Sequence, residues 1–178
     1  MKDPYKKIVK PKTEAEFQEF LDRHNVRYDR QVLIGDCPFN VSFNHRVDFY
    51  LEDFDLYVEV KGWMSCAAVS ELWWLLNYCS KNFYIYQVTN EDWIGRCIGG
   101  RDAKIARNIS AQQDELTSLF KLEPINAKEK IKSLVELNRR RLKDFIKVRQ
   151  YDVLRWRQML RHRSVESGKK GLQLYLVK

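Results

Sequence analysis

Nowhere does the chain carry a run approaching the roughly 18 uninterrupted apolar residues that a membrane-spanning helix needs. Met1 to Lys12 is charged and has no apolar stretch behind it, so no secretory leader is expected, and the sequence reads as that of an intracellular, cytoplasmic protein without membrane contact. Cysteine is sparse: Cys37, Cys66, Cys79 and Cys97 include no C-x-x-C pair, and His24, His45 and His162 stand at zinc-finger spacing neither from them nor from one another. That argues against a structural zinc site and for thiols in a reducing compartment. Internal repeats and low-complexity tracts are absent too. What remains is a 178-residue chain, 44% hydrophobic and 31% charged, long enough to bury one sizeable core.

The net charge of +8 is unevenly spread. Residues 1–100 hold 12 basic and 15 acidic side chains, whereas residues 101–178 hold 20 and 9. A basic half beside an acidic one suits a protein that grips a polyanion with one part and keeps carboxylates for another purpose.

Local patterns divide the chain into elements. Thr13 and Glu16 form a capping box, and Phe17, Phe20 and Leu21 supply the apolar stripe of a helix ending near His24-Asn25. Val26 to Ile34 reads as a strand followed by a turn at Gly35 to Pro38. Residues 46–61 alternate: Val47, Phe49, Leu51, Leu56, Val58 and Val60 are apolar, while Asp48, Tyr50, Glu52, Asp55, Tyr57, Glu59 and Lys61 lie between them. Two strands joined near Asp53-Phe54 fit this pattern. Ala67 to Tyr78 has helical spacing, and Phe83 to Val88 is dense enough in β-formers to be a buried strand. Gly99-Gly100 marks a boundary between regions 1–98 and 99–178, beyond which 101–120, 127–149 and 151–163 read as helices and Leu172 to Val177 as a short strand.

The hairpin carries the chemistry. With its turn at Asp53-Phe54, Asp48 faces Glu59, and directly opposed side chains sit about 4.5–5.5 Å apart at Cβ, where like charges destabilise. Two such carboxylates call for a cation. Mg²⁺, or Mn²⁺ in its place, prefers oxygen ligands and is usually held by one or two carboxylates together with a substrate phosphate. Such an ion polarises the phosphate and makes a bound water acidic enough to attack. Lys61, two residues after Glu59 and on the same strand face, can orient that water. The alternative is a solvated polar face on an ordinary hairpin, since a lone E-x-K is common.

Val47-Asp48, followed after a turn by Glu59-Val60-Lys61-Gly62, resembles the PD-(D/E)xK nuclease superfamily, with Val47 where the family has Pro. The order from Glu14 to Gly62 is similar to that of the bacteriophage junction-resolving endonucleases, whose active-site Glu opens a helix like Glu14 to Leu21. The resemblance covers roughly residues 12–90. It implies an α/β fold with a central mixed β-sheet flanked by helices, a restriction-endonuclease-like core with a basic α-helical extension, and phosphodiester hydrolysis in a bacterial or phage-infected cell. It nominates Glu14 beside Asp48, Glu59 and Lys61 as catalytic, with Asp48 and Glu59 as metal ligands. Gln87 is a minor candidate near the metal, and His45 is more simply a surface residue.

DNA is the expected partner of the basic half. Arg139, Arg140, Arg141, Lys143, Arg155, Arg157 and Arg161 crowd onto two segments. Each phosphate they neutralise releases condensed counterions, which gives tight, salt-sensitive, weakly sequence-specific binding. Tyr151 and Trp156 stand among these charges and offer rings for packing or for stacking on an unpaired base. Cutting both strands commonly takes two active sites, which a homodimer would supply. The expected function is therefore a Mg²⁺-dependent DNA endonuclease. The competing expectation is a non-catalytic DNA- or protein-binding protein on a nuclease scaffold.

Overall fold

A computed structural model describes residues 12–34, 46–95 and 98–151, together with 154 and 158. The expected turn at 35–38, the strand at 172–177, His45, Trp156, Arg155, Arg157, Arg161 and most of the helix at 151–163 lie outside them. Among the described residues the elements placed are four helices, α1 (Lys12–Arg23), α2 (Cys66–Tyr78), α3 (Arg101–Phe120) and α4 (Lys128–Val148), about four strands, β1 (Tyr28–Leu33), β2 (Arg46–Leu51), β3 (Leu56–Lys61) and β4 (Phe83–Gln87). Among the described residues no helix is long and apolar enough to cross a membrane.

The fold is α/β, a mixed sheet of order β1-β2-β3-β4 flanked by helices. β1, β2 and β3 run antiparallel in sequence, and β4 joins β3 in parallel through the α2 crossover. A 3-10 turn at Glu52–Phe54 and Asp55 at φ 44 close the β2–β3 hairpin. Its register pairs Phe49 with Val58, Tyr50 with Tyr57 and Leu51 with Leu56, as the alternation predicts. β1 alternates half-buried and exposed residues, whereas every residue of β4 is buried. A strand covered on both faces reads as a continuous apolar run, which is why Phe83–Gln87 shows no alternation.

α1 begins at Lys12, so Thr13 lies inside its first turn rather than ahead of it. It ends where expected: Asn25 takes φ 52, and the N–H groups of Asn25 and Val26 donate to the carbonyls of Asp22 and Leu21, a Schellman closure. Phe17, Phe20 and Leu21 pack on Phe49, Val58 and Tyr86 with Leu116 and Leu119 of α3. On the opposite side, Val69, Leu72 and Leu75 of α2 pack with Phe83, Ile85 and Trp93.

α4 joins both layers. Its Ile131, Leu134 and Val135 belong to the first cluster, and its Leu142 and Ile146 to the second. Between them Asn138, fully buried, receives the Ile85 N–H at 2.9 Å and donates to the Ile85 carbonyl at 3.2 Å. Gln112 of α3 does the same for Gln87, at 2.8 and 2.7 Å. A side-chain amide offers one acceptor and two donors, so these two residues stand in for a missing neighbour strand and close the outer edge of β4. The described helices after Gly99, set apart by composition, are thus built into the same core as the residues before it.

Candidate active site at a gap between the strands

Asp48 lies in the middle of β2 but has no ladder partner on either side. The β1 ladder passes from Arg30–Phe49 to Val32–Val47 and skips it, and pairing with β3 stops at Phe49–Val58. Its carboxylate replaces the lost ladder bonds: Oδ2 accepts the Val60 N–H at 2.7 Å, and Oδ1 accepts from the Gln31 side chain at 3.2 Å. Gln31 has φ 54, a left-handed backbone uncommon for a residue other than glycine. That twist removes Gln31 from the ladder, and its amide bonds Asp48.

Asp48 and Glu59 are buried, 8% and 5% exposed. Burial first, and then the charge of Glu59, pushes the Asp48 carboxyl up to about 7; Glu14 adds to the rise, and the Val60 N–H and Lys61 oppose it. Lys61 Nζ lies 2.6 Å from Glu59 Oε1 and 3.1 Å from Glu71 Oε2 of α2. Burial works to lower the Lys61 ammonium, but the charges of Glu59 and Glu71 outweigh it, and Lys61 is raised above its ordinary value. It stays protonated.

Glu14 is close enough to influence Asp48, but its carboxylate is bonded by Arg30 Nη2 at 3.2 Å, and the same guanidinium donates to Gln18 at 3.2 Å. Gln87 is the register partner of Lys61, fully buried, with its amide nitrogen bonded to Thr89 and no hydrogen bond to Oε1 among the described residues. The four nominated residues therefore fall in one neighbourhood. Glu71 and Gln31 join them unannounced. Glu71 belongs to a different element, and nothing in the local pattern around Gln31 signals its twist.

Two buried carboxylates present oxygen donors of the kind Mg²⁺ takes, and their mutual repulsion is what a divalent cation relieves. Asp48 and Glu59 fit the ion on that ground. Among the described residues no three Asp, Glu, His or Cys side chains gather into a metal-holding group, so the protein would supply two carboxylates.

The arginines of α4 divide by helix face. Arg139 donates to the carbonyls of Leu76, Cys79 and Lys81, and its guanidinium lies 4.5 Å from the Phe83 ring centre, so it seals the C-terminus of α2. Arg141 makes a two-pronged pair with Glu115 of α3, at 2.9 and 2.6 Å. Arg140, Lys143 and Lys147 are exposed. Their 3-and-4 spacing lines them along one stripe, which exposed Glu136 and Asp144 share, whereas Arg149, about 180° of helix rotation from Arg140, donates to the Met64 carbonyl at 3.2 Å and pairs with Glu91 at 2.9 Å. The C-terminal end of α4 is thereby fixed to the loop that follows Lys61.

Compared with protein-family models, with curated proteins and with solved structures, the chain matches none.

Proposed function

We propose that the protein is a metal-dependent DNA endonuclease of the PD-(D/E)xK type. The observation that carries this reading is the gap around Asp48, where two buried carboxylates stand against a protonated lysine at the edge of a broken ladder. Carboxylates packed together without full compensation weaken a fold, and such arrangements cluster where a charge is to be received.

Asp48 and Glu59 would hold Mg²⁺, which when bound supplies charge withdrawal from the scissile phosphate and a water of lowered pKa. Val60 N–H and Gln31 fix the Asp48 carboxylate in place before any substrate arrives. Lys61, positioned by Glu59 and Glu71, directs a protonated amine at the site, where it orients the attacking water and offsets charge growing on the phosphate. Glu14 adds negative charge from α1 under the control of Arg30. Arg140, Lys143 and Lys147, exposed on one face of α4 beside Glu136 and Asp144, are the cations that this helix offers to the DNA backbone.

A panel of single-stranded, duplex, nicked and branched DNA in Mg²⁺ or Mn²⁺ tests this reading, with wild type beside Asp48→Asn. Cleavage of at least one substrate by wild type alone is the expected result. Cutting at equal rates by both proteins removes Asp48 from the chemistry. No cutting, with salt-sensitive binding retained, moves the protein to the non-catalytic binding class, a reading favoured by the finding that among the described residues no third Asp, Glu, His or Cys side chain joins the pair.

A further inference from the structure

Trp63 stands two residues beyond Lys61 with 73% of its surface exposed, although tryptophan is among the residues most buried on average. Among the described residues its indole takes part in no ring contact, hydrogen bond or ion pair. The backbone around it is held on every side. The Lys61 carbonyl accepts from Val88 N at 2.9 Å. Gly62 lies so close to α1 that an added Cβ would be 3.1 Å from Thr13 Cγ2. Met64 is buried and its carbonyl is bonded by Arg149, and Ser65 caps α2 by accepting from Ala68 N at 3.1 Å. A large aromatic ring is thus displayed on a fixed mount beside the candidate active site.

We propose that Trp63 stacks on an unpaired nucleobase next to the scissile phosphate, so that the substrate class is DNA with a single-stranded nucleotide at the cut: a flap, a branch or a single strand. This rests on the nuclease reading above. Two residues span at most about 7 Å, so Trp63 begins within a short step of a phosphate that lies at Lys61. The occupant is a base rather than a protein surface because the ring stands two residues from the protonated Lys61, which a phosphate would meet, and joins no other ring among the described residues. A base inside a continuous duplex already has both faces stacked, so away from duplex ends only an unpaired one can receive the indole. Fixing the mount in advance removes ordering entropy that stacking would otherwise have to offset.

The test uses the full chain carrying Asp48→Asn, so that binding is read without cleavage, alone and with Trp63→Ala or Trp63→Phe. The probes are a labelled single strand, a flap duplex with 2-aminopurine at the unpaired position next to the junction, and a covalently closed circular duplex without ends. Trp63→Ala is expected to weaken binding of the single strand and the flap by about 5- to 100-fold, to restore the quenched 2-aminopurine emission, and to leave binding of the closed circular duplex unchanged; Trp63→Phe retains most of the affinity. Equal losses on all three probes, or no loss on any, overturn the proposal, as does a protein that binds none of them. If wild type cuts DNA while Trp63→Ala binds like its parent, the stacking role fails and the nuclease reading stands. The reverse, a Trp63-dependent preference for unpaired DNA without cleavage, keeps the stacking and sinks the nuclease.

Discussion

Asp48→Asn should make the metal-free protein more stable while it destroys the site. The Asp48 carboxyl is displaced from its ordinary 3.8 to about 7. At 1.36 kcal/mol per pH unit of displacement, the ionised group costs about 4 kcal/mol in the folded state. The sign follows from proton binding. Between pH 4 and 7 the folded protein keeps a proton that the unfolded chain has released, so stability falls as pH rises through that window and levels off above it. Asparagine carries no charge, can still accept the Val60 N–H, and needs only a reversed amide at Gln31. Allowing for local relaxation, the gain at pH 8.5 is about 2–4 kcal/mol, or roughly 5–15 °C in Tm for a domain of this size. At pH 4 the two proteins should unfold alike. Urea or thermal unfolding of both across pH 4–9 reads the difference and cancels the titrating groups that do not interact with Asp48, leaving Asp48 and its coupling to Glu59, Glu14 and Lys61. Mg²⁺ should then raise the stability of wild type at pH 8.5, by mass action on the folded state, and leave Asp48→Asn where it was. A variant equal to or weaker than wild type at pH 8.5, or stabilised equally by Mg²⁺, refutes the assignment of Asp48 as a strained, metal-accepting carboxylate.

Lys61→Met should lower the cleavage rate by at least about 100-fold and also cost about 3 kcal/mol by urea unfolding, because Glu59 is left as a buried charge without its partner. Asn138→Leu should cost about 2–4 kcal/mol, since the Ile85 N–H and carbonyl at the edge of β4 lose their only described partner outside the sheet; an unchanged midpoint would show that the edge is not closed as described. Replacing Arg140, Lys143 and Lys147 together by Ala should reduce the salt dependence of DNA binding by up to about three units of slope and leave Tm unchanged, whereas Arg139→Ala should lower Tm and leave the slope alone. Binding titrations from 50 to 300 mM salt beside thermal scans separate the two arginines, and equal behaviour would discard the facial division of α4.

Neighbouring residues alone determined a good deal here. Alternation over 46–61 with a turn at Asp53-Phe54 specifies the hairpin register, because a strand slipped by one residue would turn its apolar face to water. That register places Asp48 near Glu59 and aligns Glu59 with Lys61. The apolar spacing likewise marks α1, α2, α3 and α4. Tertiary packing decided the rest, since it joins positions that carry no mark of each other. Glu71 reaches Lys61 from another element, Arg30 occupies Glu14, and Gln31 leaves its ladder for Asp48. Arg139 and Arg140 are adjacent and chemically identical, yet about 100° of helix rotation sends one onto the carbonyls of α2 and the other into solvent. Gln112 and Asn138 read as ordinary polar residues until β4 is found to need them. Periodicity is written into each segment, whereas a contact between residues 25 or 53 positions apart exists only once both segments are packed.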